Sequence, residues 1–421
     1  MGGPRLRLGL ERVLVLAVVD FDDTPDEAAF RAEARAWLEA HAERRQPDAR
    51  PTMAAANDPG HLEACRRWQR TLYDGGWAGI AWPKAYGGRG GTPNQARIFA
   101  QEERQFDVTT GMLSVAVNMV GPTFITHGTP EQQEEHLDAI LRGDELWCQL
   151  YSEPGAGSDL AGLRTRAERD GDTWIVNGQK VWNSGAHQAQ FGILLARTDP
   201  DVPKHAGITY FIVDMATPGI EVRPLRQITG HAHFNEVFLT DVAIPAANVM
   251  GEVNGGWGVA QTTLASERSM ISGGGAGTGI DQLVDLAREF GRTDDPGVRQ
   301  ELALAYTRIR LLEFLGLRAQ TALSQGRMPG PEVSVMKLAI SDHMERTGDL
   351  LVALEGPYGT LGGADAPREQ LAQYQFLGQW SVRLGGGTDQ VQRNVIGERV
   401  LGLPREARAD KDVPFRELQG A

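Results

Sequence analysis

Two cysteines in 421 residues, Cys65 and Cys148, are too few and too far apart for a disulfide framework, and neither has the C-x-x-C spacing of a structural zinc site. That usage fits a reducing cytoplasm. Positive charge is also scarce: 42 Lys and Arg against 55 Asp and Glu leave a net charge of -13 and a pI near 5.3. No basic field exists to release counterions from a phosphate backbone, so nucleic-acid binding is not expected, and an anionic ligand must be met by local arginines or helix N-termini. No run reaches the roughly eighteen apolar residues that a membrane span needs, so no stable membrane insertion is expected. There is no Walker loop and no G-x-S-x-G elbow, and Gly155-Ala156-Gly157 lacks the third glycine of a dinucleotide-binding fingerprint. Among the nine histidines, His231 and His233 could face one metal ion. No third ligand lies near them, a loop or strand-edge role is the other reading, and no metal site is expected.

What is present is globular: 41% hydrophobic and 23% charged residues, enough chain for two or three domains with sizeable cores. Phe30, Ala34, Trp37 and Leu38 recur at helical spacing within 26–45, and the same period continues through 61–74, 93–105, 110–127 and 130–142. From Glu145 the pattern changes to short β-branched runs, 192–196, 208–213 and 237–242, punctuated by Gly, Asp and Pro. Amphipathic segments return at 257–290, 298–325, 332–355 and 387–400, with Pro296 and Pro331 as breakers. The expected fold class is α+β: an N-terminal all-α domain over 20–144, a middle β domain over 145–253 and a C-terminal helical bundle over 254–421.

The most informative stretch is LYSEPGAGSDLAGLRTRAERDGDTWIVNGQKVWNSGA, from Leu150 to Ala186. In its Ser152–Asp159 segment, small residues let backbone amides approach a ligand, and the hydroxyls can bond a polar ring edge. Asp170-Gly171-Asp172 and Asn177-Gly178 are turn signals, so the segment reads as antiparallel strands with Trp182 at a strand end and Ser184 just beyond. An indole beside a hydroxyl suits a flat heteroaromatic cofactor; an ordinary core tryptophan is the alternative.

Further on, Ala260, Leu264, Glu267 and Ile271 fall on one stripe of a helix that faces the core. A carboxylate there is costly unless it is paired or its pKa rises, and a raised pKa is what a base working near neutrality needs. A structural ion pair and a catalytic base both fit. Arg268 is adjacent in sequence but about a quarter turn away, so it is no automatic partner.

The central stretch resembles the flavin-binding motif of the acyl-CoA dehydrogenases, in which a T/S-E-P-x-A-G-S-D turn precedes an N-G-x-K-x-W-I-T/S-N strand end. Other segments resemble the family in its own order. Gly79–Pro83 with Tyr86-Gly87-Gly88 is similar to the N-terminal signature, and Ile228–Val237 with Gly251–Trp257 to the domain junction. Gly387–Asn394 and Glu398–Pro404 are similar to the C-terminal motif, so the likeness covers about residues 20 to 415. The first eighteen residues faintly imitate a secretory signal, but Glu11 interrupts the approach and no small-residue cleavage site follows. The family's usual beginning resembles Asp20 onward, so a flexible or over-extended start, not export, is expected.

The resemblance implies bound FAD and removal of hydrogen across the α and β carbons of an acyl-CoA, with electrons passed to an electron-transfer flavoprotein. Tyr151, Ser152, Gly157, Ser158, Trp182 and Ser184 match flavin-contacting positions; Thr388 and Gln390 match further FAD contacts; Ser158, Arg268 and Gly386 match the substrate side. In the commonest members the catalytic glutamate directly precedes the Gly-Thr of the C-terminal motif, and here that position is Gly386. The isovaleryl- and long-chain-type enzymes place the base in an L-x-x-E-R helix segment instead, which corresponds to Glu267. Gly386 with the run Gly273–Gly277 either opens the cavity to a branched, long or cyclic acyl group or serves helix packing. The R-x-x-F-G segment of many relatives is replaced by Arg292–Arg299, and Glu355–Gly363 only loosely matches Q-x-x-G-G-x-G-F. A homodimer or homotetramer is expected from the resemblance, and this departure points to the alternatives, an altered dimer interface or a hetero-oligomer of unlike subunits. Oxygen-using chemistry on the same fold, or a silent subunit completing a partner's site, are the other functional readings.

Overall fold

The computed structural model describes residues 23–46, 60–273, 278–324, 330, 333–405 and 410–418. The signal-like start and the run Gly274–Gly277 lie outside the described residues, as do Pro331 and the side chain of Arg268.

Helices come first: α1 (Pro25–His41), α2 (His61–Asp74), α3 (Pro93–Glu103), α4 (Leu113–Val115), a π turn at Ala116–Val120, α5 (Gly121–His127) and α6 (Pro130–Arg142). Three of them start the same way. Thr24, Thr92 and Thr129 each cap the backbone N–H three residues on, each is followed by Pro, and Glu27, Gln95 and Gln132 return the bond. A Thr-Pro-x-Glu/Gln string therefore fixes a helix start, each cap contributing about 1 kcal/mol. Trp37, Trp68, Trp77 and Phe99 interlock beneath these helices, with Trp77 stacked on Phe99 at 4.8 Å. Gly121 lets the backbone pass Trp82, since a Cβ there would lie 1.9 Å from the indole.

A seven-stranded sheet follows: β1 (Trp147–Leu150), β2 (Arg166–Asp170), β3 (Thr173–Val181), β4 (Phe191–Arg197), β5 (Ile208–Asp214), β6 (Ile220–Leu225) and β7 (Phe234–Pro245). Their order is β1-β4-β2-β3-β7-β6, with β5 on β4. Gly171 turns the β2–β3 hairpin as expected, with φ +59°. Asn177-Gly178 does not turn the chain; it lies inside β3, where the register against β7 slips between Val176 and Gly178. The slip is a β-bulge. Asn177 uses its amide on Asp241 across the gap, at 3.0 and 2.9 Å, and Gly178 admits Thr165, whose Oγ1 would lie 2.3 Å from a Cβ.

The last part is helical again: α7 (Gly256–Gly273), α8 (Ile280–Glu289), α9 (Pro296–Ser324), α10 (Val333–Glu355), α11 (Leu371–Leu384) and α12 (Asp389–Val395). The expected segment 257–290 is two helices, and Pro296 opens α9, a position where its missing N–H costs nothing. Among the described residues no helix is long and apolar enough to cross a membrane.

Candidate active site

The turn that opens the central stretch is built around one buried ion pair. Leu150 ends β1, and Ser152–Asp159 then leaves the sheet edge. Glu153 folds back inside, accepting the N–H of Arg164 at 2.7 Å and of Thr165 at 2.9 Å, while Lys180 of β3 reaches it at 2.7 Å and donates to the Tyr151 carbonyl at 3.1 Å. Burial alone would raise the Glu153 pKa; the Lys180 charge and these hydrogen bonds outweigh it and hold the carboxyl below its ordinary range. The pair fixes the turn to the strand, and Ser152 O accepts Val181 N–H at 2.9 Å.

One residue later the chain does something costly. Trp182 sits at φ +63° with its indole 60% exposed, edge-on to Phe234 at 5.8 Å. Exposing an indole and holding a non-glycine residue in the left-handed region together oppose stability, so neighbouring groups must impose them. They do. Asn183 is buried and donates to Gln149 O at 2.7 Å, and Asn183 and Asn235 exchange backbone bonds at 3.0 and 3.1 Å. The Asn235 side chain adds a bond to Asn183 O at 2.8 Å. Ser152 and Ser184 are half-buried, and Gly157 and Ser158 exposed; a Cβ at Gly155 or Gly157 would meet nothing within 4 Å. Free hydroxyls, open backbone and an indole face fit a flat heteroaromatic cofactor, which decides against the core-tryptophan reading of Trp182.

Tyr151, which the resemblance matches to a flavin-contacting position, keeps its side chain inside. That side chain is 3% exposed and turns inward to Tyr210, ring to ring at 6.0 Å. There the three parts of the fold meet. Tyr210 of β5 bonds Thr263 of α7 at 3.2 Å, and Thr263 bonds Thr123 of α5 at 2.9 Å. Glu267 lies one turn beyond Thr263, half-buried, and its charge acts on Tyr151. Burial chiefly, then Tyr210 and Glu267, push the Tyr151 phenol well above its ordinary range.

Thr388 and Gln390 stand in a separate setting, the start of α12. Thr388 caps that helix, accepting Val391 N–H at 3.2 Å, and Gln390 is exposed. Gly386 and Gly387 have φ +62° and +85°, and Gln392 Nε2 donates to Gly386 O at 3.1 Å. Asp389 is buried and bonded by Lys337 Nζ at 3.0 Å and Arg383 Nε at 3.1 Å, so the motif is anchored on α10 and α11. His231 packs edge-on against Tyr374 at 5.0 Å, and His233 pairs with Gln227 at 3.2 Å. Among the described residues no group of three metal-ligating side chains exists. Cys65 and Cys148 are free and buried, their thiols pushed up by burial to about 11 and about 12. Glu153, Lys180, Asn183 and Asn235 were given no role by the sequence, although all four stand inside the quoted motifs.

Residues 24–144, 148–242 and 254–401 match the N-terminal, middle and C-terminal domains of acyl-CoA dehydrogenase. Acyl-CoA dehydrogenase IpdE1 of Mycobacterium tuberculosis is 37% identical over 394 residues, 91% of this chain and 99% of that protein. Acyl-CoA dehydrogenase FadE34 of the same organism is 42% identical over 361 residues, 85% of this chain but 49% of its own length, so this chain spans about half of that relative. A solved structure described as Tcur3481-Tcur3483 steroid ACAD superposes with a TM-score of 0.77 at 29% identity, covering 92% of this chain and all of that one. The chain thus belongs to the acyl-CoA dehydrogenase family of FAD-dependent oxidoreductases.

Proposed function

We propose that this chain converts an acyl-CoA thioester to the trans-2-enoyl-CoA, with Glu267 as the base that takes the α proton. The observation that carries the reading is the place of Glu267: a half-buried carboxylate at the three-domain junction, one helical turn from Thr263, its charge acting on the residue that leads into the Ser152–Asp159 turn. FAD, when bound, supplies the acceptor for the β hydrogen as hydride and an outlet for the electrons to an electron-transfer flavoprotein. Ser152, Ser158, Trp182 and Ser184 hold its ring, and Thr388 and Gln390 hold it further out. Backbone N–H at the Gly386 turn polarises the thioester carbonyl as the enolate develops, and Ser158 and Arg268 contact the CoA side. The domain division 20–144, 145–253 and 254–421 and a cytoplasmic setting belong to this reading.

The substrate is a bulky acyl group, cyclic or steroid-derived. Gly386 leaves space where the commonest relatives carry a carboxylate, and the Tcur3481-Tcur3483 structure is described as a steroid ACAD. A partner subunit is part of the proposal. Leu304, Leu311 and Phe314 on α9, and Phe376, Trp380 and Leu384 at four-residue spacing on α11, are exposed apolar side chains. The segment that replaces the family's R-x-x-F-G is turned on itself, Arg292 bonding Asp295 at 3.1 Å and Ala353 O at 3.4 Å. A hetero-oligomer is favoured over a homo-oligomer by the likeness to the structure described as Tcur3481-Tcur3483, two components together.

Anaerobic titration with butyryl-, octanoyl-, cyclohexanecarbonyl- and steroid-side-chain acyl-CoA, following flavin bleaching, tests the whole reading. Glu267→Gln keeps size and hydrogen bonding but cannot accept a proton, so bleaching falls by orders of magnitude while FAD and acyl-CoA still bind. Bleaching at the wild-type rate by Glu267→Gln reduces Glu267 to a structural carboxylate.

A further inference from the structure

The buried hydroxyls at the three-domain junction have a direction. Thr123 Oγ1 donates to the carbonyl of Met119 at 2.8 Å, which commits its hydrogen. Its contact with Thr263 at 2.9 Å must therefore be made with the Thr263 hydrogen. Thr263 Oγ1 in turn accepts from the Tyr210 hydroxyl at 3.2 Å. A carbonyl at 3.4 Å, that of Val259, is the weaker alternative for the Thr263 hydrogen. Donation thus runs from the β domain through α7 into the N-terminal domain, and it ends without using the last member of the cluster. Tyr151 is 3% exposed, and its hydroxyl oxygen is buried with no hydrogen-bond partner.

A buried hydroxyl left unpaired is costly, so its hydrogen has a partner in some working state. Three acceptors are near, the first of them the neutral Thr263 oxygen. The second is the neutral Tyr210 oxygen and the third the Glu267 carboxylate, one turn along α7 from Thr263. A bond to an ionised acceptor is about twice as strong as one to a neutral oxygen, so the carboxylate wins.

We propose that Tyr151 is a positioning residue for Glu267: when an acyl-CoA seats and water leaves, its hydroxyl donates to one carboxylate oxygen and holds the other toward the substrate α carbon. This rests on the reading of Glu267 as the base. It also assigns Tyr151 a different task from a flavin contact. The backbone of Tyr151 is already pinned by Lys180 at 3.1 Å, and its neighbour Ser152 begins the cofactor turn, so one short segment serves cofactor and base together. Among the described side chains, the other ionisable groups around the junction are Tyr210 on β5 and His127 on α5, which bonds Thr262 at 2.8 Å. Of these, only Tyr210 is a neighbour of the Tyr151 ring in the described contacts.

Tyr151→Phe removes one oxygen and keeps the packing. Flavin reduction is followed anaerobically by rapid mixing with whichever panel acyl-CoA bleaches the wild type fastest, per bound flavin, from pH 5.5 to 9. The expected result is a limiting rate lower by about 10- to 100-fold, a half-saturation concentration changed by less than about threefold, and a pH midpoint moved upward. The midpoint rises because the charged form of the base has lost a donor. Tyr210→Phe is the control. Its hydrogen goes to Thr263, so its rate stays within about threefold of wild type and its midpoint does not move. Wild-type rate and midpoint in Tyr151→Phe overturn the proposal, as do equal losses in the two variants or loss of FAD from Tyr151→Phe alone. Glu267→Gln separates the two levels: if it bleaches normally, the base assignment has failed; if it is dead while Tyr151→Phe is normal, only the positioning role has failed.

Discussion

Lys180 and Glu153 form an ion pair with both side chains enclosed, 0% and 8% exposed, at 2.7 Å between Nζ and Oε1. Removing one member strands the other. Lys180→Met leaves Glu153 buried with two backbone donors and no ion-pair partner in contact, which costs about 3–5 kcal/mol. Adding Glu153→Gln removes the charge and keeps an acceptor for Arg164 and Thr165, so part of the loss returns. Denaturant unfolding of the three apoproteins checks the order wild type, double variant, single variant; a single variant as stable as wild type would show that water reaches the carboxylate.

Trp182 offers the opposite case, a residue whose removal spares the fold. Its indole is mostly exposed and its backbone is left-handed, so Trp182→Gly loses little packing and relieves roughly 1 kcal/mol of backbone strain. Apoprotein stability is expected within about 1 kcal/mol of wild type. Flavin retention is expected to collapse, because the face for the ring is gone. Visible absorbance of the purified protein and reconstitution with FAD measure it, and a fully yellow Trp182→Gly protein would remove the indole from the cofactor site.

Much of this was legible in the sequence because local periodicity and the decisive contacts coincided. The helices at 61–74 and 130–142 have the expected bounds, since Gly, Pro and Thr mark their ends. The bulge at Asn177-Gly178 was not legible: the same dipeptide that makes a tight hairpin turn is used here to admit Thr165, and only the partner strand decides. Helix α11 was missed because Phe376, Trp380 and Leu384 put apolar side chains on its outer face, blurring the period that a helix with one wet face would show. At the site, the exposed turn and strand end could be placed from their motif, whereas the burial of the Tyr151 side chain against Tyr210, 59 positions away, could not. No spacing rule reports a contact between β1 and β5.

His343 gives the acid limb of stability. It is fully buried on α10, and burial, with the charge of Arg308, depresses its pKa from 6.5 to about 4. The native state holds it neutral, while the unfolded chain protonates it below 6.5. Its contribution is therefore complete above pH 6.5 and is lost as pH falls toward 4. Between pH 7.5 and 5 the loss is about 2 kcal/mol. His127 and His233 are depressed too, so the comparison must be internal. Unfolding of wild type and His343→Leu at both pH values is expected to show a smaller fall in the variant by roughly that amount; parallel falls would mean that other groups carry the acid limb.

Gly386 and Glu267 are expected to be partly interchangeable as seats for the base, and the backbone sets the cost. Gly386 sits at φ +62°, a conformation that an L side chain adopts at a penalty of about 1–2 kcal/mol. Gln392 holds its carbonyl at 3.1 Å, and Lys337 and Arg383 anchor Asp389 three residues on, so the loop does not relax freely. Gly386→Glu is thus expected to lower unfolding free energy by at least that amount, and Gly386→Ala by about the same, because the strain belongs to the Cβ and not to the carboxylate. In a Glu267→Gly background, Gly386→Glu brings a carboxylate toward the α carbon from another backbone segment. Some flavin reduction is expected to return, with a narrower range of acyl groups, since the new side chain occupies the space that the glycine leaves. Activity over the acyl-CoA panel and unfolding of each variant are measured on the same preparations. If the doubly substituted protein binds FAD and acyl-CoA and still reduces no flavin, the 386 turn does not face the reacting carbon in this chain, and the room it leaves cannot be what admits a bulky substrate.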